Sequence, residues 1–380
     1  MGSLPQITWT VIGAGPAGLC AIGNLLSSGI REDQVVWIDP HFNSGNLSDV
    51  PEVPSNTKVQ LFLKFFTACP YLNERAKEIE SGSPNDNPFK SMRDLEQEIG
   101  CPLSYAAAAV TATTQCILNR IKNRKAMVTS VEKSDKQNEW TITLEDGEKL
   151  QTERIVFCTG SKARELNIHR DYPNIQCIPL QDGFSATKLK SIINEKDHVA
   201  VLGTSHSGVL LLRNLCTILP EEHGLKVASV ECVSRKPLLY AEYMDGWIKN
   251  DNTGLKLAAA DWAREYYDKS CHPLLRKITL SQDEQKTYKE LLPNCTKIVY
   301  AVGYDRVKLP QIIYNGVESN VTHDGKCGKL KDENGKEIDG LYGLGIAFPE
   351  LRKYPNGVEE WAVGMWKFMD YGMRVIPSWS

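Results

Sequence analysis

The stretch Ile7-Thr-Trp-Thr-Val-Ile-Gly-Ala-Gly-Pro-Ala-Gly-Leu19 sets the reading of the whole chain. Its first half is apolar and β-branched, as a buried strand requires. Its second half is punctuated by glycine before an apolar run, Leu19–Leu26, that predicts a helix. The spacing of Gly13, Gly15 and Gly18 matches a dinucleotide-binding turn. Gly13 makes the tight turn, Gly15 lets the backbone approach a pyrophosphate, and Gly18 lets helix and strand pack closely. Pro16 and Ala17 lie between them at the helix start, where free N–H groups and the positive dipole end would meet the phosphates. Gln34-Val-Val-Trp-Ile-Asp39 reads as the next strand and ends in a carboxylate about 20 residues on, which places Asp39 to accept hydrogen bonds from a ribose. A structural turn followed by a chance acid is the alternative.

Bulk properties narrow the class. The 380 residues predict two or three domains. With 42% hydrophobic and 24% charged residues the composition is that of a globular protein. A net charge of −3 without a basic stripe gives no footprint for nucleic acid. No apolar run reaches the ~20 residues of a membrane span, and the first apolar run belongs to the glycine motif rather than to a signal peptide. A cytoplasmic location is expected, and the sequence carries no signal for oligomeric state. The 11 cysteines are odd in number and scattered, Cys20, Cys158, Cys216 and Cys232 among them. None forms CxxC or a zinc-spaced set, so reduced buried thiols and no metal are expected.

From Asp39 the chain enters a polar loop, 40–54, and then Val53-Pro-Ser-Asn-Thr-Lys-Val-Gln-Leu-Phe-Leu-Lys-Phe-Phe66, an apolar helix that Ser55 or Asn56 could cap. Residues 101–123 read as another helix. Three strands at 126–131, 139–144 and 154–158, with an Asp146-Gly147 turn, predict a β-meander that returns through Ile155-Val-Phe-Cys-Thr-Gly160 to the first sheet. The opening pattern then recurs in His198-Val-Ala-Val-Leu-Gly-Thr-Ser-His-Ser-Gly-Val-Leu-Leu-Leu212, with Gly203 and Gly208 at its first and third positions and Ser205 in the middle. Val227–Val233 supplies the next strand, followed by Ser234-Arg235-Lys236 where an acid would select an unphosphorylated ribose. Cations at Arg235 and Lys236 suit a 2′-phosphate, although an ordinary surface pair would look the same.

Gly203-Thr-Ser-His-Ser207 also begins like a nucleophile elbow, but Ser207 stands where that motif needs glycine. His206 is expected to face a phosphate or solvent. Residues 236–292 show little strand signal. Lys297-Ile-Val-Tyr-Ala-Val-Gly-Tyr304 then repeats the strand-to-glycine return, which predicts that the second domain interrupts the first. The expected division is 1–165, 166–296 and 297–380. A last strand is expected near Gly340–Ala347, and a final helix over 356–371.

In this order the motifs resemble the two-dinucleotide-binding-domain flavoproteins, and within them the class B flavin and N-hydroxylating monooxygenases. The resemblance implies an α/β fold of two Rossmann-like domains, glutathione-reductase-like, with the NAD(P) domain inserted into the FAD domain and a β-meander. It implies FAD at Gly13, Gly15, Pro16, Ala17, Gly18, Asp39, Lys58, Thr159, Gly160 and Gly345. It implies NADPH at Gly203, Ser205, His206, Ser207, Gly208, Arg235 and Lys236, and a further cofactor contact at Gly303. Disulfide reductases would need a redox dithiol, and Gly345 is followed by Ile346-Ala347-Phe348 rather than the acid of their closing motif. Ser55-Asn56-Thr57-Lys58 resembles the segment that flanks the isoalloxazine in flavin monooxygenases. Carried over, Asn56 is the catalytic residue and would hydrogen-bond a flavin C4a-hydroperoxide or the nicotinamide.

The linker signature of Baeyer–Villiger and flavin monooxygenases has no match in 160–199, where Ile175-Gln-Cys-Ile-Pro-Leu-Gln-Asp-Gly-Phe184 lacks its histidine. The expected function is an NADPH- and FAD-dependent monooxygenase that uses O2 on a small amine, thioether or ketone. The alternatives are a reductase or oxidase without oxygen insertion, and a non-catalytic flavin-binding scaffold. Trp361–Tyr371 could wall a substrate pocket, although its apolar spacing also suits core packing.

Overall fold

Strand Trp9–Ile12 is buried along its whole length, as a central parallel strand covered on both faces must be. The computed structural model that shows this describes residues 7–133 and 138–379. Residues 1–6, 134–137 and 380, which the expected domain ranges include, lie outside the described residues. The strand sits inside a six-stranded sheet in the order Lys329–Lys331, Glu337–Gly343, Arg154–Phe157, Trp9–Ile12, Val35–Ile38, Lys122–Arg124. All neighbours are parallel except the first pair.

The chain divides into two compact units. One comprises Met1–Pro51, Lys58–Ser161 and Arg306–Ser380, the other Glu52–Thr57 and Lys162–Asp305. The return to the first unit therefore falls at Arg306. Strand Lys297–Tyr300, expected to open that return, instead pairs with His198–Leu202 in the second sheet.

In the first unit, helix Pro16–Ser27 buries Leu19, Ile22 and Leu25 against the sheet. Each such side chain contributes roughly 1.5–3 kcal/mol. Its other side is covered by the final helix, Met365–Val375. There a Cβ on Gly372 would lie 2.6 Å from Cys20 Sγ, and Cys20 Sγ donates to Phe368 O. A second sheet of this unit runs Val317–Glu318, Gln311–Tyr314, Val128–Lys133, Trp140–Leu144, Lys149–Thr152. The third meander strand is thus Lys149–Thr152. Arg154–Phe157, expected in that place, crosses directly into the main sheet. Lys149-Leu-Gln-Thr152 is mostly polar and exposed, so it gave no strand signal.

In the second unit a five-stranded parallel sheet runs Leu275–Thr279, Ser229–Ser234, His198–Leu202, Lys297–Tyr300, Gln176–Cys177. Helix His206–Arg213 continues through a π segment, Asn214–Ile218, into Leu219–His223, and stops at left-handed Gly224.

Three expected elements change. The helix over 101–123 spans Leu103–Leu118, and its basic end is the edge strand Lys122–Arg124, fixed by Asp39 N donating to Arg124 O. Leu275–Thr279 is a strand inside the region that showed little strand signal, hidden because it is a half-exposed edge rich in Arg, Lys and Thr. The final helix begins only at Met365. Before it, Glu350–Lys353 and Glu359–Ala362 form an antiparallel hairpin that leaves Trp361 exposed, whereas Met365 and Met369 pack into the core.

Candidate functional site

At the end of strand Trp9–Ile12, Gly13 N donates to Ile38 O at 2.8 Å and Gly13 takes φ +107°, a region that L side chains avoid. A Cβ there would sit 2.3 Å from Cys158 O, and one on Gly18 would sit 1.9 Å from Gly13 O. Both glycines are required by the fold. Gly15 is different. Its φ of −74° and ψ of −171° are open to any residue, and the nearest atom to a built Cβ is Gly45 Cα at 3.8 Å. It stands as the helix N-cap, with Pro16 at the first helical positions and no side-chain cap. Asp39 closes the turn from below. Its Oδ2 accepts from Ala14 N at 2.8 Å, and Oδ1 accepts from His41 N and Phe42 N, both at 2.7 Å.

Further residues of the first unit gather at this end of the sheet. Strand Arg154–Phe157 exits through Cys158 to Thr159, whose Oγ1 is buried without a hydrogen-bond partner. Gly160 follows with φ +75° and open space where a Cβ would point. Gly345, φ +81°, lies over Ala17, where a Cβ would come within 2.3 Å of the alanine methyl.

The second unit repeats the construction almost atom for atom. Gly203, φ +106°, donates to Val233 O at 2.8 Å, and a Cβ there would meet Ala301 O at 2.2 Å. A Cβ on Gly208 would meet Gly203 O at 2.1 Å. Ser205 caps helix His206–Arg213 with φ −71° and ψ −176°, the conformation of Gly15 to within a few degrees. The serine is therefore accommodated without backbone strain. Gly303, φ +102°, points into open space as Gly160 does.

The register also fixes the selector position. Asp39 follows the residue bonded to Gly13, and Ser234 follows the residue bonded to Gly203. Ser234 thus replaces the acid, and Arg235 comes next. Arg235 is exposed and grips Glu284, with Nε to Oε1 at 2.6 Å and Nη2 to Oε2 at 2.9 Å, which pulls the carboxyl of Glu284 below its ordinary range. Lys236 is exposed.

His206, expected to face a phosphate or solvent, is only partly exposed. Burial, with help from the nearby Lys256 charge, drives its pKa down to about 4, and among the described residues its Nδ1 has no partner. Lys256 is itself held by Asp251 at 2.8 Å. With Ser205 exposed at the cap and no hydrogen bond between it and His206 among the described residues, a hydrolytic Ser–His pair is not formed. Ser207 Oγ lies 3.4 Å from Tyr304 OH.

The Ser55–Lys58 segment also differs from expectation. The cap of helix Val59–Thr67 is Lys58, and no side chain caps it. Ser55 Oγ instead donates to Thr57 O, and exposed Asn56 accepts from Thr57 Oγ1 at 3.2 Å. Asn56 belongs by its contacts to the second unit and Lys58 to the first. Lys58 Nζ pairs with Glu98.

All 11 cysteines are free. Burial pushes the thiols of Cys20 and Cys158 well up, which suits packing and not redox exchange. Among the described residues no group of three or more His, Cys, Asp or Glu could hold a metal ion, and no helix is long and apolar enough to cross a membrane. A hollow of about 590 Å³ lined by Lys77, Glu80, Lys90 and Arg93 contains none of the motif residues. Two residues escaped the sequence reading. Gly45, φ +60°, brings the 40–54 loop against Gly15, and its only signal was a Ser-Gly-Asn turn. Glu284 had no sequence signal, because its role comes from strand pairing.

No family model matches the sequence. The chain is 38% identical over 386 residues to monooxygenase AgnR1 of Paecilomyces divaricatus, covering 97% of each protein. Its fold is shared with a flavin-containing monooxygenase from Stenotrophomonas maltophilia (TM-score 0.59, 13% identity, 98% of each chain). It is also shared with the ornithine N-hydroxylase KtzI of Kutzneria sp. 744, solved with reduced FAD, NADP+ and L-ornithine (TM-score 0.60, 12% identity, 99% of each chain).

Proposed function

The chain belongs to the monooxygenase family that includes AgnR1, and from that premise we propose that it is a divergent class B flavin monooxygenase whose first unit holds FAD and whose second holds NADPH. The observation that carries the assignment is the duplicated turn: two strand–glycine–helix units with matching dihedrals, one followed by Asp39 and the other by Ser234-Arg235. The residues of the first unit fit a flavin nucleotide. Gly15 leaves a helix N-terminus without a side chain or a capping group, Thr159 Oγ1 is an unsatisfied polar atom at the same sheet end, and Gly160 opens space beside it. Bound FAD would supply the redox chemistry, acceptance of hydride and activation of dioxygen.

The chain's own residues bind and orient. The N–H groups at the start of helix Pro16–Ser27 receive the pyrophosphate. Asp39 uses three acceptor sites on backbone N–H groups, and a carboxylate has about four, so one remains for a ribose hydroxyl. Lys58 adds positive charge to the first site. The start of helix His206–Arg213 receives the phosphates of NADPH, Arg235 and Lys236 its 2′-phosphate, and Asn56 hydrogen-bonds the nicotinamide. His206 stays neutral near and above neutral pH, so the helix start carries no titrating charge beside the phosphates. The substrate is a small amine, thioether or ketone, with O2 as co-substrate, and the enzyme works in the cytoplasm.

The test is spectroscopic. Purified protein should be yellow, and anaerobic NADPH should bleach the flavin absorbance faster than NADH does. Admission of labelled dioxygen with each substrate class should give a labelled product. Protein that binds no flavin, or flavin that NADPH leaves oxidised, overturns the proposal. Return of all the oxygen as hydrogen peroxide with every class tested overturns oxygen insertion.

A further inference from the structure

Arg235 leaves strand Ser229–Ser234 two residues beyond the carbonyl that fixes Gly203. Strand Leu275–Thr279 runs parallel beside it with Ser234 opposite Thr279, and Leu280 N donates to Ser234 O at 2.8 Å. The chain then turns at Asp283, whose side chain caps helix Glu284–Leu291, so strand pairing delivers the first residue of that helix beside the guanidinium. Glu284 is supported from behind as well, since the hydroxyl of buried Tyr288, one turn on, lies 3.5 Å from Oε2.

The edge that Glu284 uses is informative. A guanidinium offers two forks, a side edge of Nε and Nη2 and an end edge of Nη1 and Nη2. Glu284 takes the side edge with both of its oxygens. Among the described residues no hydrogen bond engages Nη1, so the end fork is presented to solvent in a fixed plane. We propose that Glu284 is a positioning residue for coenzyme selection: it holds Arg235 so that the end fork meets the adenosine 2′-phosphate, and preference for the phosphorylated coenzyme rests on the pair. This rests on the NADPH reading above. Two effects oppose each other. The carboxylate repels the phosphate, but Arg235 is 62% and Glu284 34% exposed, so water weakens that repulsion, and the guanidinium charge stands between the two anions. Ordering a long arginine before binding removes a loss that would otherwise fall on the complex. The second effect wins.

The experiment measures calorimetric affinity for adenosine 2′,5′-bisphosphate and for 5′-AMP on the full chain. Glu284→Ala should weaken the bisphosphate roughly three- to tenfold, the effect of one newly ordered side chain, and leave 5′-AMP within twofold. Arg235→Ala should weaken the bisphosphate further, and the double variant should be no worse than Arg235→Ala. Unchanged or tighter bisphosphate binding by Glu284→Ala overturns the positioning role and makes Glu284 a bystander or a competitor. Equal binding of the two probes by the natural protein overturns the NADPH reading itself, a separate result. If Glu284→Ala also loses 5′-AMP, Glu284→Gln decides. It preserves the shape, and bisphosphate binding as strong as in the natural protein overturns the proposal.

Discussion

Substituting Gly15 by alanine separates cofactor binding from folding. At φ −74° the backbone tolerates a side chain, and a built Cβ finds only Gly45 Cα at 3.8 Å and Ser44 O at 4.0 Å, ordinary van der Waals contacts. The fold should therefore lose at most ~1 kcal/mol, the usual difference between glycine and alanine at an N-cap. The methyl group nevertheless occupies the space in front of the helix N-terminus. A phosphate displaced from those N–H groups forfeits at least one charge-assisted hydrogen bond, worth about 1.5–3 kcal/mol, which weakens FAD roughly 10- to 100-fold. Gly18→Ala is the contrasting control, because its Cβ would lie 1.9 Å from Gly13 O and backbone must move. Overpacking of that kind costs about 1–3 kcal/mol or more, so this variant should lose both stability and flavin. The assays are flavin content after purification, FAD affinity by fluorescence quenching, and the urea midpoint of the apoprotein. If Gly15→Ala binds FAD as the natural protein does, the phosphate does not sit at this helix start. If it unfolds, the conformational argument is wrong.

Three further outcomes are expected. Asp39→Asn turns an amide donor or a single acceptor toward three backbone N–H groups, and leaving one of them unsatisfied should cost about 1–3 kcal/mol and flavin affinity with it; a variant with unchanged urea midpoint and flavin content refutes this. His206 titrates near 6.5 when unfolded and about 4 when folded, so the unfolded chain takes up the proton first. Stability from this group is fully present above pH 6.5 and falls as pH drops toward 4. After discounting for partial solvation the loss is about 1–2 kcal/mol, and it should vanish between about pH 5 and 7 when His206→Asn is compared with the natural protein in urea titrations. A native-state thiol-labelling time course read by mass spectrometry should modify exposed Cys271 early and buried Cys20 and Cys158 only on unfolding; early labelling of Cys158 would contradict its packing.

The two glycine turns were legible because backbone conformation demands a specific residue there: no other side chain fits above Cys158 O or Ala301 O. Arg235 was legible for a related reason, since a parallel strand ends at a register fixed by the glycine turn beside it. What escaped the sequence depends on tertiary pairing. Lys149–Thr152 and Leu275–Thr279 are edge or near-edge strands whose polar residues face water, so alternation was masked. The hairpin before Met365 was read as helix because its apolar residues happen to continue the helical spacing of the residues beyond it. Asn56 looked like a cap because its residue type prefers caps, but the chain enters that helix two residues later. Glu284 could not be foreseen at all. Its partner lies across a strand pair, 235 against 284.

The interruption of the first unit also has a consequence for how the molecule is made. Ile155 pairs with Leu341, and Gly345 seats on Ala17, so the first sheet and the turn at Gly13 stay incomplete until residues 341–345 have been synthesised. Apart from the short segment 52–57, the strands of the second unit are drawn from one continuous stretch, 162–305, which leaves the ribosome earlier and can close its sheet first. The glycine motif at Gly13 thus emerges before the second unit and is finished after it: a chain stopped short of Gly345 should carry a folded second unit and an open first one.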